Sequence, residues 1–193
     1  MIVRHGERWL GVLGLADQPR PEARGVLQAL RALGLGPLVM LTGDNVGVAE
    51  AVGRELGVDQ VKAELLPEDK VTAVRALMEK HGPLAMIGDG VNDAPALAQA
   101  TVGIAMGGAG TGVALETADV ALMADDLRTL PFAVGLSRQA AGIIKQNLAI
   151  ALLVAATLLG RAGIGTAVLL HEGSTMVVVL NSLRLLAYAP SST

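Results

Sequence analysis

Short apolar runs alternate with amphipathic stretches through the first two thirds of the chain. The runs are continuous enough for strands buried on both faces, and the stretches between them repeat apolar residues at helical spacing. The pattern predicts strands over 9–16, 37–41, 60–64, 84–87, 102–106 and 120–123. It predicts helices over 21–33, 46–56, 67–80 and 94–99. This alternation indicates an α/β fold with a doubly wound parallel sheet, which binds ligands at the carboxyl ends of its strands.

The remainder of the chain has the pattern of two membrane helices. The charged residues that follow Lys145 are Arg161, Glu172 and Arg184. The uncharged stretch 146–160 and the apolar stretch 164–183 each approach the roughly 20 residues that cross a bilayer. We therefore predict a two-helix transmembrane hairpin, and the basic residues near its ends place those ends in the cytoplasm. The predicted domains are 1–137 and 138–193.

The composition excludes several classes of function. The 193 residues are 52% hydrophobic and 17% charged, with a formal net charge of −3. A nucleic-acid-binding surface is excluded, because no cluster of lysine and arginine is interleaved with aromatic residues. The absence of cysteine excludes disulfides and thiolate metal sites. The first residues have no apolar signal-peptide region, so we expect membrane insertion to depend on the C-terminal part.

The first polar motif is Thr42-Gly43-Asp44, which follows the predicted strand 37–41. Gly43 would let the backbone approach an anion, and Thr42 would offer that anion a hydroxyl and an N–H. The alternative is a turn that caps the helix beginning at Val46.

The strongest chemical motif is Gly-Asp-Gly-Val-Asn-Asp over 88–93, which also follows a predicted strand. Asp89 and Asp93, with Asn92 between them, form an oxygen-rich set that suits Mg²⁺ together with water and phosphate oxygens. An Asx turn with a helix cap would explain one of these acids but not both. Lys70 lies near the start of a predicted helix, where a cation opposes the helix dipole. Lys70 is therefore a candidate phosphate ligand, with an ordinary surface lysine as the alternative.

In combination these motifs resemble the C-terminal part of a heavy-metal-transporting P-type ATPase, whose phosphorylation domain has the haloacid-dehalogenase-like fold. The matching segments, which cover nearly the whole chain, are 41–45, 63–70, 86–107, 114–133, 137–147 and 180–186. The roles that the resemblance implies are phosphoryl contacts for Thr42 and Lys70, Mg²⁺ ligands for Asp89 and Asp93, phosphate support for Asn92, and the nucleotide side for Asp44.

The chain departs from this family in one important respect. It lacks the Asp-Lys-Thr-Gly-Thr motif that contains the family's phosphorylated aspartate. Asp17 follows an early predicted strand, but its neighbours resemble a later Asp-x-x-Arg-Pro segment of the family, so we interpret Asp17 as structural. Most of the nucleotide-binding domain, the actuator domain and the earlier membrane helices are also missing. We therefore expect an incomplete phosphorylation domain that does not turn over ATP by itself.

A second polar cluster interrupts the last predicted membrane helix at His171, Glu172, Ser174 and Thr175. Ionisable residues inside a membrane are costly and usually mark an ion pathway. Nitrogen and oxygen donors of this kind suit Co²⁺, Fe²⁺, Ni²⁺ or Zn²⁺ better than Cu⁺. The alternatives are an interhelical polar contact or residues placed at the membrane interface.

The sequence His-Glu-Gly-Ser-Thr, which begins at His171, resembles the cobalt-, iron- and zinc-exporting subgroup of these pumps. In that subgroup a Ser-Pro-Cys helix, absent here, shares the ion. The resemblance implies an integral protein of a bacterial-type plasma membrane, with its soluble domain in the cytoplasm. Its partners would be the transported ion, membrane lipid and the missing remainder of the pump.

Two competing functions remain open. One is a stand-alone phosphatase of the same fold with Asp17 as nucleophile, which leaves the predicted hairpin unexplained. The other is a non-catalytic membrane fragment that binds Mg²⁺ or another metal and associates with other chains. Arg161, at the tip of the predicted hairpin, receives no functional role from the sequence.

Overall fold

The computed structural model describes residues 2–12, 18–88, 92–107, 116–123, 126–161 and 164–189. The strands are β1 (Ile2–His5), β2 (Arg8–Val12), β3 (Val39–Leu41), β4 (Gln60–Lys62), β5 (Ala85–Gly88), β6 (Val102–Met106) and β7 (Val120–Leu122). The helices are α1 (Ala23–Ala32), α2 (Val46–Leu56), α3 (Pro67–His81), α4 (Ala94–Gln99), α5 (Thr129–Arg161) and α6 (Ile164–Leu183), followed by a 3₁₀ turn (Arg184–Ala187).

The strands from β3 onward pair in parallel, as the sequence predicts. β3 pairs with β4, with Val39 opposite Gln60. β5, β6 and β7 form a second parallel set in which β6 is central and Ile104 is opposite both Ile87 and Val120. Within the described residues these two sets are not hydrogen-bonded to each other. The prediction of an α/β fold with a parallel sheet is therefore confirmed.

The prediction was wrong at the N-terminus. The strand predicted over 9–16 begins at Arg8, and its described part pairs antiparallel with β1, a strand that was not predicted. Gly6, with φ of +58°, allows the tight turn between them. Trp9 is 66% exposed with the Arg4 guanidinium over its ring, so this apolar run is not a buried strand. Residues 13–17 lie outside the described part of the chain.

The core has two apolar clusters on opposite faces of β6. On one face Ile104 and Met106 pack with residues of α1, β7 and α5. On the other face Ala105 packs with residues of α3, α4 and β5. Because side chains alternate along a strand, β6 contributes to both clusters and carries helices on both faces. This is the layering of a doubly wound sheet.

Local sequence explains where the helices near the polar loops begin and end. The Asn45 side chain accepts a hydrogen bond of 3.0 Å from the Val48 N–H, which caps α2. Gly57 ends α2 in the left-handed conformation. Pro67 opens α3, and the Asp69 carboxylate accepts a hydrogen bond from the Leu66 N–H.

The C-terminal third consists of two helices in contact, α5 and α6. Leu130, in the first turn of α5, is buried in the core cluster that contains Ile104, and the 33-residue helix extends from there for about 50 Å. The predicted boundary between 137 and 138 therefore falls inside one continuous helix. Among the described residues, no helix combines the length and the hydropathy required to cross a bilayer. The two helices are confirmed, and their insertion into a membrane stays a prediction.

Candidate functional site

The loop after β3 is held in place by the loop after β4. The Thr42 N–H donates to the Lys62 carbonyl at 3.0 Å, and the Leu65 N–H donates to the Thr42 carbonyl at 3.0 Å. The Glu64 N–H, from a residue with φ of +56°, donates to the Asp44 carbonyl at 2.8 Å. Backbone hydrogen bonds between the two loops thus continue the pairing of β3 and β4 past their carboxyl ends. The Thr42 N–H, which was expected to meet an anion, donates to the Lys62 carbonyl in this structure.

Within this loop the polar side chains of Thr42 and Asp44 bind each other. The Thr42 hydroxyl donates to Asp44 Oδ2 at 3.0 Å and accepts from the Asp44 N–H at 3.1 Å. The alternative interpretation of this motif was a helix cap, but Asn45 performs that role for α2. A Cβ added to Gly43 would lie 3.4 Å from the Leu65 carbonyl oxygen, so the two loops run close together.

The structure brings Lys70 and Asp93 together. Lys70 Nζ, in the first turn of α3, lies 2.6 Å from Asp93 Oδ1, just before α4. Their side chains are only 15% and 14% exposed. A lysine that opposes the α3 dipole is therefore explained by a carboxylate from another part of the chain. An ordinary surface lysine is excluded by this burial.

Asp93 is the N-cap residue of α4, but its side chain is directed into the domain. Its side chain makes no capping hydrogen bond to α4, although its carbonyl accepts from Ala96 and Leu97. A Cβ added to Gly88 would lie 2.7 Å from Asp93 Oδ2, so the carboxylate fits only beside a glycine. An Asx turn with a helix cap therefore does not explain the Asp93 side chain. Asn92 is exposed.

An apolar cavity of about 330 Å³ connects the two parallel strand sets. Leu41, the last residue of β3, lines it together with Met86 and Ile87 of β5. Asp93 lines the same cavity, which places a carboxylate near the carboxyl ends of both sets. Asp89, the other predicted Mg²⁺ ligand, and Asp17, the alternative nucleophile, lie outside the described residues.

The second predicted site lies on a single helix. His171, Glu172 and Thr175 are exposed on α6. The hydroxyls of Ser174 and Thr175 donate to the His171 carbonyl at 2.8 and 3.0 Å, so their oxygens keep lone pairs for a ligand. In the described ranges, no group of three or more histidine, cysteine, aspartate or glutamate residues is placed to hold a metal. The structure thus supplies possible metal donors from one helix. Arg161 is the last residue of α5, and its side chain lies outside the described part of the chain.

Sequence reasoning missed two groups of polar contacts. Asp126 accepts hydrogen bonds from the Arg128 guanidinium and backbone N–H at the start of α5, which hold the pKa of its carboxyl below the usual range. Asn147 and Asn181 form hydrogen bonds between α5 and α6. The available signal was the presence of amide residues where the uncharged part of α5 begins, at Asn147, and where α6 ends, near Asn181.

Comparison with known proteins gives consistent matches. Residues 2–101 match the model of the haloacid dehalogenase-like hydrolase family. Over 96% of its length the chain is 51% identical to a probable cadmium-transporting ATPase of Staphylococcus aureus. Over 93% of its length it is 50% identical to a manganese-exporting P-type ATPase of Mycobacterium tuberculosis. The chain spans about a quarter of these relatives, 26% of each.

Two solved structures show the same likeness in three dimensions. The crystal structure of a zinc-transporting PIB-type ATPase matches 86% of this chain with a TM-score of 0.73 and 48% identity. This chain covers 28% of that one. The catalytic domain of the CPx-ATPase CopB-B matches 62% of this chain, with a TM-score of 0.55 and 36% identity, and 46% of that domain is covered.

Proposed function

Because the chain belongs to the haloacid dehalogenase-like hydrolase family, we propose that it is the C-terminal portion of a P-type ATPase that exports a divalent transition metal. The observation that carries this proposal is the part-buried Lys70–Asp93 pair, which lies where the polar loops of a parallel sheet meet. Phosphoryl transfer depends on charge positioned around the transferring group, and a pair of this kind supplies it.

In this proposal the polar loops receive a phosphoryl group that ATP delivers to an aspartate elsewhere in the pump. Lys70 donates from its ammonium group to the phosphoryl oxygens, and Thr42 donates from its hydroxyl. Both groups must first leave their present acceptors, Asp93 and Asp44. Asn92, exposed beside Asp93, supports the phosphate, and Asp44 with Gly43 lies on the nucleotide side.

The residues present fit Mg²⁺. Asp93 offers a carboxylate that is directed inward and not used as a cap, and hard oxygen donors are what this ion prefers. Asp89 and Asp93 are the proposed ligands, and bound Mg²⁺ would supply positive charge against the phosphoryl oxygens. Asp93 itself would hold Lys70 in place until the phosphoryl group arrives.

The helices α5 and α6 are proposed to be the last two membrane helices of the pump, in a bacterial-type plasma membrane with the soluble domain in the cytoplasm. Large apolar side chains are exposed along both helices, among them Leu152, Leu153, Leu169, Met176 and Leu180. An exposed apolar surface of this extent is stable against lipid, and in water it would drive association.

The proposed cargo ligands are His171, Glu172, Ser174 and Thr175, completed by donors of another helix. Their nitrogen and oxygen atoms favour Co²⁺, Fe²⁺, Ni²⁺ or Zn²⁺. The similar proteins are named for cadmium, manganese and zinc, so the proposal extends to divalent transition-metal ions in general. The partners would be this ion, membrane lipid and the rest of the pump.

Titration of the full chain with Mg²⁺ and inorganic phosphate, followed by amide NMR signals, tests the proposal. We expect the signals of Thr42, Gly88 and Asp93 to shift at millimolar Mg²⁺. The shifts should be lost in Asp93→Asn and kept in Asp59→Asn, a control whose carboxylate pairs with Arg31 elsewhere. Absence of any shift in the wild-type chain would contradict the proposed phosphoryl site.

A further inference from the structure

A layer of amide and hydroxyl side chains joins α5 to α6. Asn181 Nδ2 donates to Asn147 Oδ1 at 2.8 Å and to Gln146 Oε1 at 3.2 Å. Asn147 Nδ2 donates in return to Ser182 Oγ at 3.0 Å. Arg184 Nη1 donates to Asn181 Oδ1 at 3.0 Å. We refer to these residues as the amide layer.

The amide layer is specific for one alignment of the two helices. Both hydrogens of the Asn181 amide and its oxygen are used, and Ser182 also donates to the Val178 carbonyl at 2.8 Å. Asn147, Asn181 and Ser182 are each half-buried. If α6 slid by one turn along α5, Asn147 and Asn181 would face apolar neighbours with their amides unpaired. An unpaired amide in apolar surroundings is costly, so the layer disfavours every other register.

The amide layer lies between the soluble core and the proposed cargo ligands. Asn147 is about 25 Å along α5 from Leu130, which is buried in the core, and Asn181 is about 15 Å along α6 from His171. Helix α5 is also tied to the soluble domain where Arg138 donates to the Leu33 carbonyl at the end of α1.

A second contact holds the residue that follows the 3₁₀ turn after α6 against the first turns of α5. The ring of Tyr188 packs on that of Phe132, with 5.5 Å between centroids and an angle of 46°. The Tyr188 hydroxyl occupies the space that a Cβ of Gly135 would fill. This contact and the amide layer are about 18 Å apart along α5, so α6 is attached at two levels.

We propose that Asn147 and Asn181 are positioning residues that fix the register of α6 on α5, so that the soluble domain moves His171 and Glu172 without slippage between the helices. The inference rests on the proposed pump function, in which phosphorylation and ion release occur in different parts of the molecule. It assigns a role to polar residues that neither proposed binding site uses.

Distances between spin labels test the register directly. The chain contains no cysteine, so labels attach only to cysteines that are introduced. Ile144→Cys with Leu169→Cys, both at exposed positions, reports sliding of α6 along α5. Gln28→Cys with Leu169→Cys reports the position of α6 relative to the soluble domain. In the full chain in detergent micelles we expect one narrow distance distribution for each pair, and a broad distribution in the otherwise wild-type chain would overturn the proposal.

The decisive variant is Asn147→Leu combined with Asn181→Leu. Each single change leaves an unpaired amide and should lower the melting temperature, whereas the double change leaves none and should restore it. The distance distributions of the double variant should nevertheless broaden or shift by up to one helical turn, about 5 Å. Leu148→Ala, next to Asn147 but exposed, should leave both distributions unchanged.

A narrow wild-type distribution in the double leucine variant would overturn the proposal, because the register would then be set by apolar packing alone. Binding of Co²⁺ to the same samples is measured separately by calorimetry. Absence of Co²⁺ binding in the otherwise wild-type chain, together with narrow distance distributions there, would contradict the proposed cargo site only. Changed control distances in Leu148→Ala would contradict the specific role of the amide layer.

Discussion

The ammonium group of Lys70 lies 2.6 Å from the carboxylate of Asp93, and both side chains are about one-seventh exposed. Lys70 lies in the first turn of α3 and Asp93 directly precedes α4, and these two helices pack in the same core cluster. Each charge of an ion pair that is largely shielded from water is stabilised mainly by its partner, because water solvates it poorly there.

Removal of one partner should therefore cost more than removal of both. We expect Lys70→Met to lower the free energy of unfolding by about 3 kcal/mol, because it leaves the Asp93 charge uncompensated. The double variant Lys70→Met with Asp93→Leu should recover most of that loss. Urea denaturation of the full chain in mild detergent measures both. Arg31→Met, which breaks the exposed pair with Asp59, is the control and should cost less.

Gly88 is required by the position of the Asp93 carboxylate. A Cβ at residue 88 would approach Asp93 Oδ2 to 2.7 Å, so Gly88→Ala should displace the carboxylate and lower stability by about 2 kcal/mol. The matched control is Gly142→Ala within α5, where an added Cβ meets no atom within 4 Å. That change should raise stability by up to about 1 kcal/mol through helix propensity. Equal losses in the two variants would contradict the contact.

The Asp59 carboxylate should make stability depend on pH in the acid range. The Leu38 N–H, and then the Arg31 guanidinium, hold the pKa of this carboxyl below its usual range. Its contribution is therefore complete above the unfolded pKa of about 4 and is lost as the pH falls through the lower folded pKa. Urea midpoints measured across this range should fall less steeply in Asp59→Asn than in the wild type. Arg31→Met, which retains the Leu38 donor, should be intermediate, and identical slopes in all three would contradict the assignment.

The cargo proposal predicts binding of Co²⁺ to the hairpin. His171→Ala and Glu172→Gln should each weaken the affinity by more than about tenfold, because α6 alone offers few donors. Calorimetry on the full chain in micelles measures this, and the visible spectrum of bound Co²⁺ reports its ligands. His81→Ala, at the exposed end of α3, is the control and should bind as the wild type does. An equal loss in all three variants would place the ion elsewhere.

The pump proposal and the alternative of a stand-alone phosphatase predict different results with phosphate esters. We expect no turnover of ATP or p-nitrophenyl phosphate by this chain, because the Asp-Lys-Thr-Gly-Thr motif is absent from it. Hydrolysis of p-nitrophenyl phosphate that disappears in Asp17→Asn would instead support a stand-alone phosphatase. Asp126→Asn, in an exposed pair with Arg128, controls for loss of a carboxylate in general.

Local pattern was sufficient to predict most of the fold. The βα rhythm from Val39 to Leu122 and the start of α3 at Pro67 follow from periodicity and turn chemistry. The β1–β2 hairpin was missed because Ile2 and Val3 are too short an apolar run to signal a strand, and because the partner of Trp9 is set by a turn at Gly6.

The sequence predicted which residues belong to the candidate site, but it did not predict which of them contact each other. Lys70 and Asp93 were each selected from sequence, but their contact spans 23 residues and depends on how α3 and α4 pack. Asn147 and Asn181, 34 residues apart, likewise meet only once the alignment of α5 and α6 is known. Sequence spacing cannot supply such contacts, because they are fixed by tertiary packing.

The position of β6 has a consequence for how the domain unfolds. Ile104 and Met106 belong to one apolar cluster and Ala105 to the other, so neither cluster can lose its packing while the other keeps all of its own. Among the described residues the two clusters therefore share one strand, and we expect them to lose their packing together. A disturbance beside α3 and α4, where Lys70 and Asp93 meet, should therefore reach the first turn of α5 through β6.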